Sequence, residues 1–153
     1  MRIQELMTTN VHSVESGATL AKARDLMKAR GIRHLVVKRD GRLAGIISER
    51  DVGGPRGAAP AGTVEGAMSH GVVSIAPDAT LRDAANLLRG HVIGCLPVLD
   101  DDRLVGIVTI SDVLDALGRG EAPMRGRAKP YVSRRQGPLA KARGERLTPR
   151  GKR

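Results

Sequence analysis

The 153-residue chain has no tryptophan, no phenylalanine and a single tyrosine, Tyr131. Any core must be built from Val, Ile, Leu, Met and Ala, and the aromatic platforms on which nucleic-acid binders stack bases are missing. One cysteine, Cys95, excludes an internal disulfide. Set in an apolar run, it is expected to be a buried, reduced thiol acting as a small hydrophobe. No run approaches the ~18 apolar residues that span a bilayer, and Met1-Arg2-Ile3-Gln4-Glu5 opens no apolar leader, so a cytoplasmic chain without membrane contact is expected. Catalytic and metal-binding signatures are also missing. There is no Gly-x-Ser-x-Gly elbow, no phosphate loop ending in Gly-Lys-Ser/Thr and no His-Glu-x-x-His, and His12, His34, His70 and His91 do not pair at helical metal-ligand spacing. The expectation is a protein that is not an enzyme and holds no metal and no cofactor.

Acidic residues are scarce in one place only. The net charge is +10, but residues 121–153 hold eleven Lys and Arg against two Glu, leaving residues 1–120 at +1. A nearly neutral body with a basic tail differs from a basic domain. The tail is poor in apolar residues, so the expectation is that residues 119–153 are disordered on their own.

What the chain does have is an internal repeat. Shifted by 61 residues without a gap, Val11 falls on Val72, Thr19-Leu20 on Thr80-Leu81, Gly45-Ile46 on Gly106-Ile107 and Asp51-Val52 on Asp112-Val113. More than a third of positions 11–52 are identical, with mostly apolar exchanges between them, which marks a duplicated unit. Two small units with one open hydrophobic face each can bury those faces together and leave clefts at the seam.

Within each copy the pattern predicts β-α-β-β-α. A short strand (Val11 to Val14; Val72 to Ile75) precedes a helix capped by Thr19 or Thr80. The apolar spacing of Leu20, Ala23, Leu26 and Met27, and of Leu81, Ala84, Leu87 and Leu88, places one buried face on each helix. Two strands then form a hairpin, from Ile32 to Val37 and Leu43 to Ile47, and from Val92 to Leu99 and Leu104 to Val108. Asp100-Asp101-Asp102 reads as a solvated hairpin turn rather than a Ca²⁺ loop, because ligands must alternate to converge on an ion. A polar segment opens a last helix: Ser48-Glu49-Arg50-Asp51, cut short by the following linker, and Thr109-Ile110-Ser111-Asp112. Small helical turns, Ile3 to Thr8 and Val64 to Ser69, lead into the copies. The predicted boundaries are 3–54 and 63–118 for the two copies, joined by a Gly/Pro/Ala linker over 55–62.

A repeated unit of this order, with a Met-Thr or Met-Ser lead, a Thr-Leu helix start, a Gly-hydrophobic second strand and a Ser/Thr-x-x-Asp exit, resembles the CBS domain, named after cystathionine β-synthase. Two in tandem resemble a Bateman module, which implies an α+β fold with the repeats packed about a pseudo-two-fold axis. The resemblance further implies a regulatory protein that binds an adenosine-containing ligand (AMP, ADP, ATP or S-adenosylmethionine) between the repeats and pairs into a homodimer.

The residues give this chemistry a form. Ser48 and Thr109 end strands where the amides of the next segment point outward and attract anions. Asp51 and Asp112, one helical turn on, are acceptors suited to a ribose diol, the contact the resemblance implies. The same spacing is also an N-terminal capping arrangement, and both roles can coexist. The base pocket implied by the resemblance draws on Gly31 to Val36, with His34, and on Val92 to Pro97, with Cys95 and Pro97, beside Val73. Neither stretch is complete: Val36 stands where a proline is expected and Val92 where a glycine is. The repeat-two half-site, with Thr109, Asp112 and Pro97, is therefore preferred over that of repeat one. Arg50, beside Asp51, is a candidate for neutralising phosphate, or plain solvated surface. A second reading assigns function to the tail, as a weak, salt-sensitive contact with nucleic acid or an acidic protein through residues 121–153.

Overall fold

Thr19 and Thr80 each sit in extended backbone, and each side-chain hydroxyl accepts from the amide three residues on, that of Lys22 or Asp83. They cap α1 (Leu20–Arg30) and α3 (Leu81–His91), the first helix of each copy in a computed structural model that describes residues 1–53 and 60–120. The tail and the centre of the linker lie outside the described residues. Helix α1 ends on Gly31 at φ +63°, the usual left-handed stop, whereas α3 ends on Val92 at φ +54°. Glycine adopts that conformation freely, but a β-branched residue adopts it under strain.

In each copy the helix leads into an antiparallel hairpin, β2 (His34–Arg39) with β3 (Arg42–Ser48) and β4 (Cys95–Asp100) with β5 (Arg103–Thr109). The turn residues Asp40-Gly41 and Asp101-Asp102 all have positive φ, as a two-residue turn matching the twist of its strands requires. Thus Asp101 and Asp102 serve the turn. After β5 comes α4 (Ile110–Gly118), which buries Val113 and Ala116. β1 (Ser13–Glu15) lies parallel to β2, and α2 (Val64–Ala67) is a single turn at the head of the second copy.

Among the elements shorter than the pattern suggested, two bear on the cleft. The strand expected over Val72–Ile75 is reduced to one parallel bridge between Ile75 and Val98. In the first copy the Val36 amide donates to the His12 carbonyl. Pro97 occupies the matching position in the second and has no N–H to give, so the ladder stops at Ile75, whose amide donates to the Pro97 carbonyl. The helix expected after Ser48 is only a turn through Glu49–Val52 before Gly53.

The leading turn of each repeat packs on the other repeat. The 3-10 turn at Ile3–Glu5 docks on the second copy: Ile3 and Gln4 donate to the carbonyls of Ala79 and Pro77, and Thr8 exchanges backbone bonds with Ile107. Reciprocally, Val64 and Glu65 donate to Ala18 and Ser16, and Ser69 exchanges bonds with Ile46. Each bridge maps on its counterpart under the 61-residue shift with the partners exchanged, which is a pseudo-two-fold axis. Ile3 is accordingly buried with Ile75, Leu81, Leu96 and Val108, while Val64 and Met68 are buried with Leu20, Leu35 and Ile47. Arg39 pairs with Glu65 across the same exchange. Each aliphatic core is completed by a turn borrowed from the other repeat.

The exchange explains both strand glycines. A Cβ on Gly45 would lie 2.6 Å from the Ser69 carbonyl oxygen, and one on Gly106 would lie 2.6 Å from Met7 Sδ and 3.1 Å from the Thr8 oxygen. At Gly45 the short contact is backbone and only glycine admits it; at Gly106 it is mainly a methionine side chain.

Candidate functional site

The crossed leading segments bring the ends of β3 and β5 to one cleft of about 1210 Å³. Ser48, Arg50, Asp51 and His34 line it from repeat one, and Cys95, Thr109, Asp112 and Val73 from repeat two. Eight of the nine expected site residues thus face one cavity. Pro97 does not: it is buried in the ladder opposite Ile107, and its effect is the shortened strand described above.

The two exits share their carboxylate bonds and differ in where the Asp amide goes: to the Thr109 hydroxyl in repeat two, to the Ser48 carbonyl in repeat one. Asp112 Oδ2 accepts from the Thr109 amide at 2.7 Å and from Thr109 Oγ1 at 2.8 Å, and the Asp112 amide returns a bond to that hydroxyl at 3.3 Å. Asp51 Oδ2 accepts from the Ser48 amide at 2.7 Å and from Ser48 Oγ at 2.8 Å. The helix-capping role is therefore realised at Thr109, while at Ser48 only the carboxylate half of the arrangement forms. Each occupies Oδ2 alone, and a carboxylate has a second oxygen to offer a ligand.

The expected anion site is narrower than a fully open helix end. The Ile110 amide donates to the Gly94 carbonyl and the Asp112 amide to Thr109, while in repeat one the Glu49 amide donates to the Arg33 carbonyl. With the first leading amide of each exit engaged, side chains share in charge neutralisation. Arg33 and Arg50 line the repeat-one end, and Arg89 lies on the repeat-two wall. Arg33 is 3.8 Å from Glu49, both side chains well exposed, a geometry that contributes little energy.

His34 stands where the two ends meet. The position a Cβ would take on Gly94 is 2.6 Å from His34 Nε2, so the imidazole lies against the bare backbone of the other repeat. Burial depresses its pKa, and Arg33 and Arg50 act in the same direction against the pull of Asp51 and Glu49. Cys95 is buried, and loss of water pushes its thiol up to about 12, leaving it protonated and unreactive.

Thr8, Asn10 and Gly71 also line the cleft and were not anticipated, whereas Gly94 falls within the expected Val92 to Pro97 stretch. Thr8 and Ser69 occupy matching places after Met7 and Met68, a coincidence visible in the sequence, but which exit each would face depends on the crossing. Among the described residues no group of His, Cys, Asp and Glu could hold a metal ion, and no helix is long and apolar enough to cross a membrane.

Comparison with known proteins gives this architecture a family. The CBS domain profile matches residues 3–52 and 62–119. The CBS domain-containing protein YhcV of Bacillus subtilis is 34% identical over 117 residues, covering 72% of this chain and 81% of YhcV. By contrast, the chain spans about a quarter of the length of the homoserine O-acetyltransferases it matches. The crystal structure of AcuB from Vibrio cholerae superposes with a TM-score of 0.67 at 36% identity, over 79% of this chain and 93% of that one. The CBS domain pair of protein MJ0100, solved with 5′-methylthioadenosine and S-adenosyl-L-methionine, gives a TM-score of 0.72 over 78% of this chain and 98% of that one, and at 24% identity establishes the fold alone. Two copies of one unit, crossed leading turns and a shared cleft are thus accounted for together: the chain belongs to the CBS domain family and forms a tandem CBS pair, a Bateman module.

Proposed function

We propose that the chain is a non-catalytic regulatory module that takes an adenosine-containing ligand (AMP, ADP, ATP or S-adenosylmethionine) between its repeats and signals through a change in their arrangement or in self-association. One observation carries the reading. Asp51 and Asp112 reach the same cleft from related positions, each with Oδ2 committed to its own strand end. That bond fixes the carboxylate, so its other oxygen can meet a ribose diol without the cost of ordering a mobile side chain. The ligands of the MJ0100 pair belong to the proposed class.

A thermal-shift screen of AMP, ADP, ATP and S-adenosylmethionine tests it. A ligand at ~100 times its dissociation constant adds about 2.7 kcal/mol of stability. Combined Asp51→Ala and Asp112→Ala should abolish the shift, while Asp112→Asn, which retains an acceptor for Thr109, controls for loss of the cap. No shift with any of the four ligands would refute the proposal.

A homodimer is part of the reading. Leu114 and Leu117 are 60% and 49% exposed on α4, and a second copy would shield them. Light scattering should give twice the chain mass, and Leu114→Glu should return the monomer. The buried reduced thiol suits a cytoplasmic setting. The tail supports a second reading, since nine of the ten excess positive charges fall in residues 121–153. Nucleic-acid binding through them should fall steeply with salt and vanish on truncation after Gly120.

A further inference from the structure

Under the 61-residue shift the two ends of the cleft correspond in position but not in surface. At four positions that line it, repeat one carries Arg33, His34, Glu49 and Arg50, and repeat two carries Gly94, Cys95, Ile110 and Ser111. Each titratable or charged group is matched by a side chain that is uncharged in the fold. The leading amides cannot restore the balance. The first amide of each exit is engaged, Glu49 with Arg33 and Ile110 with Gly94, in the same way at both ends, so the difference between the ends lies in their side chains. Arg50 has no ionic partner among the described residues. The repeat-two wall carries one arginine, Arg89, in the last turn of α3, where the helix dipole favours a cation.

Val92 supplies a second, independent sign. It is 91% exposed on the rim of the cleft and is held at φ +54°, where repeat one has Gly31. A strained, β-branched side chain displayed to water stabilises nothing in the isolated fold, and it extends the apolar surface of Ile93 and Ile110 at that end.

We infer that the cleft discriminates between two adenosine ligands: its Ser48 end takes one bearing 5′ phosphates, and its Thr109 end takes one whose 5′ substituent is uncharged and apolar. The inference rests on the adenosine-binding reading above and goes beyond it by assigning a chemical class to each end. The contact of His34 on Gly94 separates the two.

Isothermal titration of the full chain with ATP and, separately, with 5′-methylthioadenosine tests it. Arg50→Gln should weaken ATP about tenfold and leave 5′-methylthioadenosine unchanged, since one charge-assisted contact is lost. Val92→Gly with Ile110→Ser should weaken 5′-methylthioadenosine about tenfold through lost apolar burial and leave ATP unchanged. All three positions are solvent-exposed, and circular dichroism verifies the folded state of the variants. Failure of the wild type to bind either compound overturns the adenosine reading itself. Binding with any pattern of loss other than this reciprocal one overturns only the assignment of the ends.

Discussion

Gly45→Ala and Gly106→Ala should differ in cost although the residues occupy equivalent places in the repeat. At Gly45 the new methyl would meet the Ser69 carbonyl oxygen at 2.6 Å and Met68 Sδ at 2.8 Å. That oxygen accepts from the Ile46 amide at 3.2 Å, and the Ser69 amide donates back at 2.9 Å, so it cannot retreat without loosening the bridge that holds the crossed segment. Overpacking costs about 1–3 kcal/mol and a weakened backbone bond about 1 more. The stiffer unfolded chain returns about 0.4–1 kcal/mol, leaving a net loss of about 1–3.6, centred near 2.5. At Gly106 the short contacts are Met7 Sδ and Cγ, at 2.6 and 3.0 Å, while the Thr8 oxygen stands off at 3.1 Å. A methionine side chain can rotate away, so the same substitution should cost about 0–1 kcal/mol. With no tryptophan and the only tyrosine in the tail, urea unfolding is best followed by far-ultraviolet circular dichroism. A difference of about 2 kcal/mol should lower the melting temperature of the Gly45 variant by about 6–10 °C relative to the Gly106 variant. Equal stabilities, or a larger loss at Gly106, would refute the claim that a rigid backbone crossing sets the constraint.

Other expectations follow from single sites. His34 is favoured as the neutral base, so it imposes no penalty above its ordinary pKa of 6.5. As pH falls through that value towards the depressed one in the fold, the unfolded chain takes up the proton first and stability is lost. His34→Gln should flatten the decline in melting temperature between about pH 7.5 and 5.5, and an unchanged slope would count against the buried imidazole. Cys95, with its thiol raised to about 12, should resist iodoacetamide at neutral pH in the native chain and react once urea unfolds it; rapid labelling of the native chain would contradict its burial. Thr109→Val removes the hydroxyl that caps α4 and should cost about 1 kcal/mol in urea titration, with no loss indicating that the cap is idle. Val92→Gly relieves a left-handed β-branched residue whose side chain packs on little, and should gain about 1 kcal/mol.

Local signals and long-range contacts divide what was legible in this chain. The duplication, the threonine caps, the apolar helix faces, the hairpins and the acid three residues after each second strand all depend on neighbours a few residues apart, so spacing alone determined them. The strand lost before Ile75 was within reach, since Pro97 stands where Val36 has an N–H to donate, but its effect needed the pairing register. Tertiary structure alone decided that each leading turn completes the other repeat's core, that Gly45 and Gly106 are crossing points, and that His34 meets Gly94. These contacts join residues from 23 to 99 positions apart, where the 61-residue repeat would serve equally well whether each turn stayed home or crossed over. Burial of Ile3, Val64 and Met68 in the opposite cores settles the choice, because hydrophobic area is won only in the assembled pair.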